Sequence, residues 1–322
     1  MTIQAGGPEL AGRAEQNRAE WLRRPERSNM FWLRVMTWIS LHLGRGIGRL
    51  VLRLIAVYFL LLTPGARRAS KDYLRRALPH PPTWFDSYQH FLSFASTIHD
   101  RVYLLNDRFD LFDISIVGEQ VIEQAIAEGQ GVLLLGAHMG SFEVLRAIGR
   151  RHGGLRVAMV MHIDNARKIN RALAAINPAE QPDIIPLGRV DSMLAVRDRL
   201  AEGGLVGLLG DRTPGGEPMQ TVSFFGEPAA LPTGPMRMAA MLRRPIVFMA
   251  ALYLGGNRYE LHFERLADFS AVTPNERDAR VFEAIERYAA RLEQYCRRAP
   301  YNWFNFHDFW RIPDVSERPK IG

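Results

Sequence analysis

The chain has 322 residues, 47% hydrophobic and 23% charged, with 41 Lys+Arg against 34 Asp+Glu and a formal net charge of +7. This composition excludes a disordered or low-complexity chain and is long enough for one large core. The single cysteine, Cys296, excludes an intrachain disulfide framework and a cysteine-cluster metal site.

Residues 1–29 form a tail in which acids mix with arginines, unlike a secretory signal. Two apolar stretches follow, Met30–Leu43 (MFWLRVMTWISLHL) and Leu54–Leu62 (LIAVYFLLL). Between His42 and His80 lie Arg45, Arg49, Arg53, Arg67, Arg68, Lys71, Arg75 and Arg76, with Asp72 the one acid, so this segment alone carries the surplus of the whole chain. Bases flanking Trp-, Phe- and Leu-rich stretches fit an anionic bilayer interface. Nucleic-acid binding would need exposed aromatics spaced among polar residues, and no such motif is present. Leu54–Leu62 falls well short of the roughly 20 residues needed to cross a bilayer. Residues 30–80 are therefore expected to form a peripheral or monotopic anchor, with the body staying cytoplasmic.

The tract Pro79–Pro82 (PHPP) separates these helices from an expected α/β domain over 81–322. Helices are expected over Tyr88–Leu105, Glu119–Glu128, Phe142–Arg151, Asn165–Ile176, Asp191–Glu202, Met236–Arg243 and Glu276–Arg298. Strands are expected over Ile114–Val117, Val132–Ala137, Leu155–Met161, Asp183–Leu187, Leu205–Leu209 and Ile246–Leu252, with Tyr259–Glu264 at an edge. Strands alternating with helices imply a mostly parallel sheet covered on both faces.

Sites in such sheets lie beyond the carboxyl ends of the strands. The apolar strand VLLLGA runs into His138-Met139-Gly140-Ser141-Phe142-Glu143. On an ideal helix His138 and Glu143 would stand ~140° apart. If Gly140-Ser141 makes the turn, His138 precedes the helix and Glu143 occupies its first turn, so the two can meet. His138 then suits a general base, with Glu143 taking the other ring N–H. A satisfied core histidine beside a helix-stabilising acid fits the spacing equally well. A second block, Leu208–Pro235, delivers Asp211 and Arg212 into a Pro/Gly-rich loop, followed by Phe224-Phe225-Gly226 and Thr233-Gly234 ahead of a helix. Backbone N–H groups at that helix start can hold an anion, and Arg212 can hold a phosphate or orient Asp211. There is no Walker loop, no Gly-x-Ser-x-Gly elbow and no metal-ligand spacing among the histidines, so neither a cofactor nor a metal is expected.

These blocks, in this order, resemble the bacterial lipid A secondary (late) acyltransferases within the wider His-x4-Asp/Glu glycerolipid acyltransferase group. The resemblance runs from about Phe31 to Trp310. It rests on His138–Glu143, on Gly210-Asp211-Arg212, Phe224-Phe225-Gly226 and Thr233-Gly234, and on the basic segment after the membrane-like helix. It implies transfer of a fatty acyl group from acyl carrier protein or acyl-CoA to a hydroxyl of a lipid A-like membrane lipid. It also implies His138 as base, Glu143 as its partner, and a donor and acceptor held by Gly140, Ser141, Asp211, Arg212, Phe224, Phe225, Gly226, Thr233 and Gly234. Phe224 and Phe225 are expected to line an acyl slot. Asp-Arg where the family pattern has Asp-Gln, and an aromatic C-terminus (Tyr301–Trp310), leave room for a different lipid acceptor. A thioesterase or lipid hydrolase using the same histidine is the alternative chemistry.

Overall fold

The structure, a computed structural model, describes residues 26–129, 131–145, 157–162, 176, 183–187, 190–212 and 217–310, with the backbone alone for 26–36, 39, 41, 43 and 190. Helix α1 (Glu26–Leu62) breaks at Gly44, where φ is 83°. A bend of 96° leads into α2 (Pro64–Ala77). Helix α3 (Trp84–Leu105) begins four residues before the expected start. Its Thr83 hydroxyl accepts from Asp86 N–H, while Asp86 accepts from Thr83 N–H, a reciprocal cap that closes the first turn.

The sheet follows the expected alternation: β1 (Asp113–Val117), α4 (Glu119–Ala127), β2 (Val132–Gly136), β3 (Val157–His162), β4 (Ile184–Leu187), α5 (Val190–Ala201) and β5 (Leu205–Leu209). Then come a hairpin, β6 (Met219–Phe224) and β7 (Glu227–Pro232), helix α6 (Gly234–Leu242), β8 (Pro245–Tyr253), β9 (Arg258–Asp268) and α7 (Arg277–Arg298). The seven-stranded order is β1-β9-β8-β2-β5-β3-β4, parallel at every pairing except β8 with β9. Strand β9 is not the edge expected of it: β1 pairs outside it in register from Asp113–Arg258 to Val117–His262. The expected helix Asn165–Ile176 lies outside the described residues except for Ile176. Of Phe142–Arg151, only a short 3-10 turn, Phe142–Leu145, falls within them.

Strand β2 is buried along its whole length and divides its side chains between two cores. Leu133 and Leu135 pack in the cluster that holds Ile285, Tyr288 and Leu292 of α7, whereas Val132 and Leu134 join Ile122 of α4 and Leu104 of α3. Each buried leucine contributes about 1.5–3 kcal/mol, which fixes this strand at the centre of the molecule. Tyr73, Leu74 and Ala77 of α2 belong to the first of these clusters, so the segment before residue 80 shares the core of the α/β body.

The basic residues of 42–80 divide by role. Arg45 and Arg49 do not face outward: both clamp the fully buried Asp100 of α3, at 3.0 and 2.7 Å, and Tyr259 donates to the same carboxylate at 2.8 Å. Burying this carboxylate is tolerable only with such partners. Arg76 pairs with Asp72 and Glu227, and Arg67 stacks over Trp84 at 4.6 Å. Arg53, Arg68 and Lys71 are exposed and make no ion pair among the described residues. Beside them Ile47, Leu50, Leu54, Val57, Tyr58 and Leu61 recur at helical spacing along α1 and are all exposed, Leu54 at 69%. Among the described residues no single helix is long and apolar enough to cross a membrane. The bent pair Gly44–Leu62 and Pro64–Ala77 meets that criterion only jointly.

Candidate active site

Strands β2 and β5 are parallel neighbours, with Gly136 opposite Leu209. The ladder runs on past the strand ends, Gly210 N–H donating to the Gly136 carbonyl at 3.0 Å. Two residues beyond that register pair stand His138 and Asp211. His138 Nδ1 lies 2.8 Å from Asp211 Oδ1, and the His138 backbone N–H donates to the same oxygen at 3.1 Å. Trp303 Nε1 donates to Oδ2 at 3.0 Å, and Arg212 Nη2 stands 3.6 Å away. Asp211 is 1% exposed. Burial alone would push its carboxyl up. His138 against it, then Arg212, with the hydrogen bonds from His138 and Trp303, instead hold it well below the usual carboxylate range. Asp211 is thus an ionised acceptor, which places the proton of a neutral His138 on Nδ1 and leaves Nε2 with a free lone pair. The His138 side chain is 40% exposed.

Glu143 does not make the contact expected of it. Its Oε1 lies 2.7 Å from Arg101 Nε of α3, and its Oε2 accepts from the Ser141 hydroxyl at 3.1 Å. The intervening turn explains the separation. Gly140 has φ +59° and sits so close to β8 that a Cβ would lie 1.6 Å from the Ala251 carbonyl oxygen, so only glycine fits. Ser141 N–H donates to that same carbonyl at 3.0 Å, and Ser141 is 2% exposed. The chain therefore turns against β8 and carries Glu143 toward α3 while His138 stays beside β5. The N–H groups of His138, Gly140 and Ser141 are all committed within the protein. Gly140 and Ser141 build the turn, and Arg212 stands beside the dyad.

The second block is also more architectural than expected. Residues 213–216 lie outside the described residues. Phe225 and Gly226, at φ 55° and 77°, are the two central residues of a tight turn joining β6 and β7, the left-handed pair that a type I′ hairpin requires. Phe224 is fully buried and packs on Trp303 and Trp310 in the core. Phe225 rests on Tyr73 and beneath Arg297, and its N–H donates to Glu293. Thr233 donates its hydroxyl to the Pro218 carbonyl, and a Cβ on Gly234 would stand 3.2 Å from Glu217 Oε2. Glu217 therefore stands beside the start of α6.

The segment that sequence reasoning left without a role is Asn302–Asn305. It lies antiparallel to the histidine turn, with Met139 bridged to Trp303, Gly140 N–H donating to Asn302 O and Phe304 N–H donating to His138 O at 2.8 Å. The Asn302 side chain both accepts from and donates to the Tyr253 backbone at the end of β8. Arg212 Nη2 donates to Phe304 O. One short stretch thus ties together the ends of β2, β5 and β8.

A histidine–aspartate pair seated at adjacent strand ends, with the second ring nitrogen not engaged by the carboxylate, is equipped to remove a proton from a hydroxyl. A family model described as "Bacterial lipid A biosynthesis acyltransferase" matches residues 19–312. The chain belongs to this family. It is accordingly a lipid A-type acyltransferase, with an acyl donor and a lipid acceptor as its substrates. No curated protein matches the chain. In this acyltransferase no group of three or more His, Cys, Asp or Glu side chains among the described residues could hold a metal ion.

Proposed function

We propose that this acyltransferase moves a fatty acyl group from the thioester of acyl carrier protein or acyl-CoA to a hydroxyl of a lipid A-like glycolipid, with His138 as general base and Asp211 as its orienting carboxylate. The observation that carries this reading is the 2.8 Å contact from His138 Nδ1 to Asp211 Oδ1 beside a part-exposed ring. His138 Nε2 takes the proton of the acceptor hydroxyl as its oxygen bonds to the thioester carbonyl carbon. The buried carboxylate stabilises the imidazolium that forms. Collapse of the tetrahedral intermediate breaks the C–S bond, and the imidazolium returns its proton to the departing sulfur. No covalent enzyme intermediate is required. Arg212 stands next to the dyad and is placed to balance developing negative charge. Glu143, in its ion pair with Arg101, supports the turn that carries His138.

The setting of this chemistry in the reading is the cytoplasmic face of the inner membrane. The exposed apolar face of α1, with Arg53, Arg68 and Lys71 beside it, is suited to an anionic lipid surface. Withdrawing an acyl chain into water costs about 0.8 kcal/mol per CH₂, so collecting both substrates at the interface removes a large barrier. Labelled acyl thioester incubated with and without lipid acceptor tests the reaction. Acceptor-dependent acyl-lipid supports transfer, whereas free fatty acid released at the same rate in both arms identifies a hydrolase.

A further inference from the structure

Outside the dyad, one histidine among the described residues is fully buried with both ring nitrogens satisfied, and its partners lead to the site. His90 of α3 lies 2.9 Å from the Ser70 hydroxyl through Nδ1 and 2.8 Å from the Trp303 carbonyl through Nε2. A carbonyl can only accept, so Nε2 carries the proton, and Ser70 donates to Nδ1. Burial pulls this imidazole down to about 4, against a smaller opposing effect of the Trp303 carbonyl, so the ring is neutral at physiological pH. Tyr73, Phe304 and Phe306 surround it, and no charged side chain makes a contact with it among the described residues.

The residue held by that N–H is the one that holds the catalytic carboxylate. Trp303 is fully buried, gives its carbonyl to His90 and its indole N–H to Asp211 Oδ2. The next residue, Phe304, gives its N–H to the His138 carbonyl and its carbonyl to Arg212. A shift of the Trp303 backbone therefore rotates Asp211 and displaces His138 and Arg212 together. From this geometry we infer that Ser70 and His90 form a positioning pair for the catalytic dyad, linking α2 and α3 through Trp303 to the Asp211 carboxylate. The inference rests on the His138–Asp211 reading above. A packing role alone would be met by any aromatic ring of this size. The paired hydrogen bonds are what a positioning role adds.

His90→Phe keeps an aromatic ring, slightly larger than the imidazole, and removes both hydrogen bonds, whereas His90→Gln restores a donor toward the Trp303 carbonyl. Two readouts apply to the full chain in detergent: steady-state acyl transfer across pH, and the ¹H–¹⁵N signal of the His138 Nδ1–H. The titratable and charged groups acting around His138 are Asp211, Arg212 and His307, and none of them is altered. For His90→Phe, kcat should fall about 10- to 100-fold, the loss expected of a sub-ångström to 1 Å misplacement, with KM within about twofold. The acid limb of kcat/KM should move to lower pH, the Nδ1–H signal should shift, and His90→Gln should recover most of the loss. A folded His90→Phe enzyme with wild-type kcat and an unmoved His138 signal overturns the inference, as does His90→Gln impaired as severely as His90→Phe. Should His90→Phe fail to fold, Ser70→Ala decides: it should shift the His138 signal and lower kcat, and wild-type values for both refute the pairing. If instead His138→Ala transfers normally while His90→Phe still moves the His138 signal, the base assignment fails and the positioning pair stands.

Discussion

Replacing Asp211 with asparagine separates the carboxylate that meets His138 in the structure from Glu143, the partner expected from the sequence. The amide is nearly isosteric, so Trp303 can still donate to its oxygen. A single oxygen cannot serve both the His138 and Trp303 donors at their present positions, 2.8 and 3.0 Å from opposite atoms of the carboxylate. If the amide nitrogen turns toward His138, Nδ1 must accept, the ring proton moves to Nε2, and the base loses its lone pair. If the oxygen turns that way, Trp303 faces an N–H, and a buried donor goes unpaired at about 1–3 kcal/mol. Either arrangement also leaves the imidazolium without its counter-charge, so kcat for acyl transfer should fall about 10²- to 10⁴-fold. Glu143→Gln should act differently, because Glu143 pairs with Arg101 and not with His138. Its expected effect is a loss of about 1–2 kcal/mol of stability with kcat per folded molecule reduced less than about tenfold. Labelled-thioester transfer assays alongside thermal melts check both. Glu143→Gln as inactive as a His138 deletion, with Asp211→Asn near wild type, would refute the dyad. The acid side gives a second reading of Asp211. Its folded carboxyl is held below its unfolded value, so its stabilisation is present above pH ~4 and lost as pH falls through the folded value. The wild type should therefore lose more stability than Asp211→Asn between pH 4 and strongly acidic conditions.

Two further outcomes follow from the geometry. Charge reversal at Arg53, Arg68 and Lys71, or aspartate at Leu54, Tyr58 and Leu61, should weaken co-sedimentation with anionic vesicles while the melting temperature stays within a few degrees; undiminished binding by both would remove the proposed lipid face. Gly140→Ala should abolish activity and lower stability by several kcal/mol, because the added Cβ meets a β8 carbonyl oxygen rather than a movable side chain; a stable, active variant would contradict the turn.

Much of the fold was legible because its central strands are nearly continuous apolar runs. Leu205–Leu209 has the bounds expected of it, and Val132–Gly136 ends one residue early. The β6–β7 hairpin was not legible, since its turn is Phe-Gly rather than the Asn-Gly or Asp-Gly that marks such loops. The start of α3 was missed although Thr83-x-x-Asp86 spells its cap. At the site, His138 was readable from its place after a buried strand, but closeness in sequence favoured Glu143 over an acid 73 residues away. The deciding signal was present. Both His138 and Asp211 follow apolar strands, by two residues beyond a register pair, and neighbouring parallel strands place such positions side by side. Strand adjacency is a long-range property, and no local pattern reports it. For the same reason the clamp of Arg45 and Arg49 on Asp100 was invisible within a block of arginines that looked uniformly outward.

The central claim is that the His138 imidazole removes the proton of the acceptor hydroxyl, and the turnover of His138→Ala tests it most directly. With a melting temperature matching the wild type, the account predicts a fall in acceptor-dependent acyl transfer of at least about 10²- to 10⁴-fold. Transfer within a few-fold of wild type by that folded variant would contradict it.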